Sequence, residues 1–148
     1  MREILFRGKA KRFLGLPWVE GYFMDILGNG TPYIATIAPI KDDEEAIING
    51  EIVIPETVGQ YTGLTDKNGK KIFEGDIVRH HNDCPDSESK EKGVVFWDEK
   101  YCSWRRTSNG AFHHGIVDTY RMSHNCVYEV IGNIHDNPEL LKEGAADE

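Results

Sequence analysis

The apolar positions of this 148-residue chain come in short runs. No run keeps a 3.6-residue period over helical length. Most alternate or cluster over about four to eight residues, which is the pattern of strands. Residues 2–10 alternate loosely and predict a first strand. Trp18 to Asp25 (WVEGYFMD) and Thr31 to Ala38 (TPYIATIA) predict two more, joined by a turn at Gly28-Asn29-Gly30. Lys41 to Ala46 predicts an acidic turn or one helical turn, after which Ile47-Ile48-Asn49-Gly50 leads into a strand from Glu51 to Ile54. Pro55 ends that strand, because proline has no N–H to give to a ladder.

The middle of the chain is dense in backbone punctuation. Val58 to Tyr61 predicts a helical turn, and Leu64 to Phe73 predicts a hairpin. Asn68-Gly69 in that hairpin fits a type I′ turn, which needs positive φ at both residues. Gly75, between Glu74 and Asp76, predicts a sharp bend made without a Cβ clash, and a strand resumes from Ile77 to His80. Residues 81–92 predict a polar loop, expected to be the most mobile internal segment. Val94–Trp97, Tyr101–Arg106, Phe112–Asp118 and Val127–Ile131 are the remaining strand candidates. Asn137 as N-cap and Pro138 at the first helical position predict a short C-terminal helix carrying Leu140 and Leu141 and ending near Gly144. Many short strands with frequent turn signals make the chain mainly β, a barrel or a sandwich.

Composition narrows the class. An apolar fraction of 39% and an aromatic fraction of 10% suffice for a packed interior. No run approaches the roughly 20 apolar residues that cross a bilayer, so no membrane partner is expected. Three widely spaced cysteines without a visible signal peptide read as reduced thiols in a cytoplasm. The net charge of −8 opposes phosphate at long range, yet Arg2, Arg7, Lys9, Lys11 and Arg12 stand against Glu3 alone, so residues 1–12 sum to +4 and the rest to −12. That asymmetry fits an interaction edge or a charged strand that resists aggregation.

Several blocks together resemble the YopX family of phage and prophage proteins. They are Phe6-Arg7-Gly8-Lys9, Trp18-Val19-Glu20-Gly21-Tyr22, the run Val53 to Val78, Glu129 to Ile134 and Asn137-Pro138-Glu139-Leu140-Leu141. The resemblance spans nearly the whole chain in order and is thinnest over residues 81–126. It implies an N-terminal β region over residues 1–54 and an SH3-like barrel with a short terminal helix over residues 55–148. It also implies a phage or prophage setting in a bacterial cytoplasm. It implies no activity and no cofactor.

Candidate chemistry is sparse. His80, His81, Cys84, Cys102, His113, His114, His124 and Cys126 lack the local pairs of a zinc site, although His124 and Cys126 would share a strand face. No metal site is therefore expected. Cys84 lies among acids that disfavour a thiolate. Glu56, Glu74 and Asp76 could pair as acid and base, but Asp76 beside a glycine bend is suited to accepting backbone N–H groups. No catalytic residue is assigned. The candidate interaction surface joins Arg7, Lys9, Lys11 and Arg12 to a hairpin carrying Trp97, Tyr101, Trp104 and Arg105, next to Arg106. Basic residues interleaved with aromatics suit single-stranded nucleic acid. The same aromatics, with strand edges that need covering, suit a homo-oligomer or an adaptor on a phage or host protein. The expected function is the second, a non-enzymatic interaction or assembly module, with nucleic-acid binding as the alternative.

Overall fold

Residues 3–12, 15, 17–39, 46–81, 92–107 and 119–141 are described by a computed structural model of the chain. They hold eleven strands and two 3-10 turns, and no α-helix. The chain divides into two units, Met1–Tyr61 and Thr62–Glu148, and β5 (Gly59–Thr65) runs from one into the other.

In the first unit β1 (Phe6–Lys9), β2 (Trp18–Met24), β3 (Tyr33–Pro39) and β4 (Ala46–Ile52) form an antiparallel meander. The first residues of β5 add to β1, with Gly59 opposite Arg7 and Gln60 opposite Phe6. A bridge between Ala10 and Val53 ties the chain after β1 to the chain after β4. Small residues permit this. A Cβ on Gly8 would lie 2.9 Å from Val53, and one on Gly21 would strike the Ala35 carbonyl. The buried apolar set is correspondingly small: Leu5, Ala10, Ile34, Ala35, Val53 and Tyr61. The helical turn expected at Val58–Tyr61 lies earlier, at Pro55–Thr57, where proline presets φ. There the Thr57 hydroxyl donates to the Ile54 carbonyl (2.7 Å) and accepts from the Lys9 N–H (2.8 Å).

The second unit begins with β5 pairing with β6 (Lys71–Phe73). It continues through β7 (Asp76–His81), β8 (Lys92–Asp98), β9 (Ser103–Thr107), β10 (Thr119–Arg121) and β11 (Val127–Asn133). The last five form a sheet in the order β10-β9-β8-β7-β11. One cluster of buried side chains unites the unit: Leu64, Ile72, Val78, Val95, Trp104, Met122 and Tyr128. Burying a side chain of this size contributes roughly 1.5–3 kcal/mol.

Three expectations change on contact with the structure. The turn at Asn68-Gly69 is not type I′. Gly69 has φ +80° but Asn68 has negative φ, and the Gly69 N–H donates to the Asp66 carbonyl (3.0 Å), giving a type I turn followed by a left-handed glycine. Asp66 dictates this form. Its Oδ1 accepts the N–H groups of Asn68 (2.8 Å) and Lys70 (2.9 Å), and its Oδ2 accepts that of Val130 (3.2 Å). The C-terminal helix is, over Pro138–Leu141, only a 3-10 turn. The Oδ1 of Asn137, the expected N-cap, accepts the Asn133 N–H (3.4 Å) beside Gly132, where the β7–β11 register shifts. Finally, the SH3-like barrel is not closed among the described residues, since β10 and β11 stand at opposite edges of an open sheet. The bend at Gly75 is present with φ +81°, and buried Asp76 accepts the Phe73 N–H (2.8 Å). Of the loop expected at 81–92, His81 ends β7 and Lys92 begins β8, while residues 82–91 and the strand expected at Phe112–Asp118 lie outside the described residues.

Candidate interaction surface

The structure separates the N-terminal cations into two pairs. Arg7 and Lys9 are alternate residues on β1, and Lys9 is the register partner of Trp18. Both cations lie over the Trp18 ring, at 4.7 and 5.5 Å from its centre, and Arg7 is buried. Lys11 and Arg12 instead line a cavity of about 470 Å³ with Tyr33, Gly50, Glu51 and Ile52. Arg12 makes an ion pair with Glu51 (3.6 Å), and the Lys11 N–H donates to the Ile52 carbonyl (2.9 Å). Gly50 shapes this cavity, because a Cβ there would lie 2.6 Å from the Tyr33 ring.

The cavity opens at the border of an apolar sheet face. Register partners on antiparallel strands share a face, and alternate residues along a strand return to it. Met24, Tyr33 and Ile52 are one such row, Tyr22, Ala35 and Gly50 the next, and Ile37 and Ile48 a third. Ala35 is buried, but Tyr22, Met24 and Ile52 are exposed, and Ile37 and Ile48 are 53% and 61% exposed. Contiguous apolar surface of this kind marks an interaction site. Nothing in the sequence singles these residues out, because an exposed isoleucine and a buried one leave the same mark in a strand pattern.

The aromatic hairpin of the second unit does not offer one flat surface. Trp97 and Trp104 are register partners on one face of β8 and β9, with ring centres 5.2 Å apart and edge to face. Trp104 is a core residue, only 8% exposed, and among the described residues its indole N–H has no hydrogen-bond partner. Trp97 is 40% exposed. Arg105 belongs to the opposite face, where it pairs with Asp98 (3.5 Å) and lies 4.6 Å over the exposed Tyr101 ring. Arg106 is buried beside Tyr120, 4.9 Å over its ring.

Titratable groups elsewhere serve the fold. Glu129 Oε2 accepts from His81 Nε2 (3.0 Å) and lies 3.2 Å from Lys67 Nζ and 3.4 Å from Arg79 Nη1. The His81 hydrogen bond, then that of Lys67, holds the Glu129 carboxyl below its ordinary value. Among the described residues no three His, Cys, Asp or Glu side chains gather as metal ligands would. His124 is exposed, and Cys126 Sγ lies 3.4 Å from Ser123 Oγ. Cys84, His113 and His114 lie outside the described residues. No helix among the described residues is long and apolar enough to cross a membrane.

Comparison with known proteins adds three facts. Residues 22–142 match the family model described as YopX protein. The chain is similar to the crystal structure of protein EF1440 from Enterococcus faecalis, at 24% identity, covering 95% of this chain and 99% of that one, with a TM-score of 0.45. No curated protein matches.

Proposed function

This chain belongs to the YopX family, and from that footing we propose that it is a non-enzymatic interaction module of phage or prophage origin, working in a bacterial cytoplasm. The observation that carries the reading is the apolar face of the first unit, with Tyr22, Met24, Ile37, Ile48 and Ile52 exposed together. A large apolar side chain loses roughly 1.5–3 kcal/mol by staying in water rather than being covered. A cluster of five has a use when another protein surface covers it. The carboxylates favour the same reading: Asp66 and Asp76 accept backbone N–H groups and Glu129 holds a cationic cluster. The second unit, with short antiparallel strands and a 3-10 turn, suits the SH3-like scaffold that the family resemblance implies.

The test is capture from host lysate, with and without nuclease, by the wild type and by the variants Tyr22→Ser/Ile52→Ser and Trp97→Ala/Tyr101→Ala. Protein capture should survive nuclease, vanish in the first variant and persist in the second. Capture that depends on nucleic acid, or that follows the hairpin variant, would establish the nucleic-acid alternative instead.

A further inference from the structure

The outer edge of β4 names an occupant for the apolar face. We infer that two copies of this chain pair antiparallel through β4, over Ala46 to Gly50, about a two-fold axis at Ile48. The inference rests on reading the apolar face as an interaction surface, and it makes the partner a second copy.

Backbone direction along β4 carries the argument. The Val53 N–H donates to the Pro32 carbonyl (3.1 Å), on the β3 side. Hydrogen-bonding direction alternates along an antiparallel strand. Glu51, Asn49 and Ile47 therefore point their backbone groups to β3, while Ile52, Gly50, Ile48 and Ala46 point theirs to the outer edge. One end of that edge is occupied: the Ile52 carbonyl accepts from Lys11 (2.9 Å), and the Ile54 N–H donates to the Lys9 carbonyl (2.9 Å). From Gly50 back to Ala46, no backbone group of the described residues pairs with it. Exposed edges are normally guarded by charge, proline or a bulge. Ala46-Ile47-Ile48-Asn49-Gly50 contains no charge and no proline, and its pairing with β3 is unbroken in register.

Geometry and charge select the antiparallel arrangement. With Ile48 opposite its own copy, Gly50 stands opposite the partner's Ala46. The two exposed Ile48 side chains then meet on the apolar face, each flanked by its own Ile37, and the two faces become continuous. The cations Lys11 and Arg12, beside Ile52, come to the Ala46 end of the partner's β4, away from the partner's own Lys11 and Arg12. A parallel pairing would set the cations of both copies together. The antiparallel pair is isologous, uses the same edge of both copies, which no described residue covers, and closes as a dimer.

Sedimentation equilibrium of the full chain at about 1 to 100 micromolar, the weak end of the affinities that protein interfaces span, tests this. The wild type should reach twice the chain mass of 16.8 kDa. Ile48→Lys and Ile48→Glu should each remain monomeric, with unchanged far-ultraviolet circular dichroism, because their like charges face each other at the axis. An equimolar mixture of the two should recover the dimer, since opposite charges then meet. That recovery also shows that neither variant is misfolded. Wild-type chain that is monomeric at 100 micromolar, a dimer that survives Ile48→Lys, or a mixture that stays monomeric would overturn the inference. If the wild type is monomeric but Tyr22→Ser/Ile52→Ser still abolishes protein capture, only the identity of the partner fails. If capture is also indifferent to that variant, the interaction reading fails with it.

Discussion

In the second unit Ile72, Val78 and Val95 are fully enclosed, whereas in the first Ile37, Ile48 and Ile52 stand in the open. Among the described residues the first unit exposes nine large hydrophobic side chains and the second five, although the first is the shorter. The difference arises in the residues between the strands' apolar positions. The first unit meets its own backbone through Gly8, Gly21 and Ala10, which leaves little interior to fill and turns larger side chains outward. The second interleaves large side chains from six elements and intervening loops into one cluster. The second unit therefore carries the stabilising core, and the first carries the surface.

The largest test of that contrast is a pair of truncations. Trp104→Ala should destabilise the chain by about 3–5 kcal/mol, as removal of a large core aromatic does. Ile37→Ser should change stability by no more than about 0.5 kcal/mol, as exposed substitutions do. Urea unfolding at the lowest workable protein concentration measures both without a contribution from association. Comparable losses from the two variants would erase the distinction between the units.

The same contrast explains what was legible in the sequence. Trp18–Met24 and Val127–Asn133 read correctly to within two residues or so, because aromatic and β-branched runs bounded by turn residues have few other fates. The Gly75 bend read correctly because the neighbouring Asp76 completes it. β4 begins five residues before its expected start, taking in Asn49 and Gly50, which have low strand propensity. Both residues instead pair with β3, and Gly50 is required because a Cβ there would strike the Ile34 carbonyl as well as the Tyr33 ring. β10 carries no signal, being three residues, Thr119-Tyr120-Arg121, held by their pairing with β9. Of the candidate surface, Lys11 and Arg12 were visible as part of a charge asymmetry. The apolar face was not, because hydrophobic patterning reports which residues share a face and not whether that face is covered.

A smaller effect sharpens the account of how the second unit is built. Gly69→Ala should cost about 1 kcal/mol, the penalty of a Cβ at positive φ, and nothing more, because no atom lies within 4 Å of that Cβ position. Asn68→Ala should cost only a few tenths of a kcal/mol. In a type I′ turn both positions would be sensitive. Equal losses at the two positions in denaturant unfolding would contradict the type I turn that Asp66 organises.

The smallest effect expected is an acid-dependent one, and it too belongs to the second unit. Burial raises the Asp66 carboxyl, but the N–H groups of Lys70, Val130 and Asn68 outweigh it and bring the group below its ordinary 3.8. Glu129 lies below its ordinary 4.5, first through the His81 hydrogen bond and then through Lys67. A carboxyl depressed in the folded state contributes stability that is complete above its unfolded pKa and lost as pH falls through its folded pKa. Wild-type stability should therefore hold from pH 7 down to the unfolded values and decline below them. Glu129→Gln should be less stable than wild type at pH 7, and the two should converge as pH falls through the folded-state pKa and the wild-type carboxyl takes up its proton. Asp66→Asn should show a larger deficit at pH 7, since one amide oxygen replaces two carboxylate oxygens that accept three N–H groups. Urea midpoints collected across this range decide the matter. A Glu129→Gln curve running parallel to wild type down to the lowest pH would mean that the contacts of Glu129 with His81, Lys67 and Arg79 add nothing to folding, leaving the hydrophobic cluster and the Asp66 turn to hold the unit.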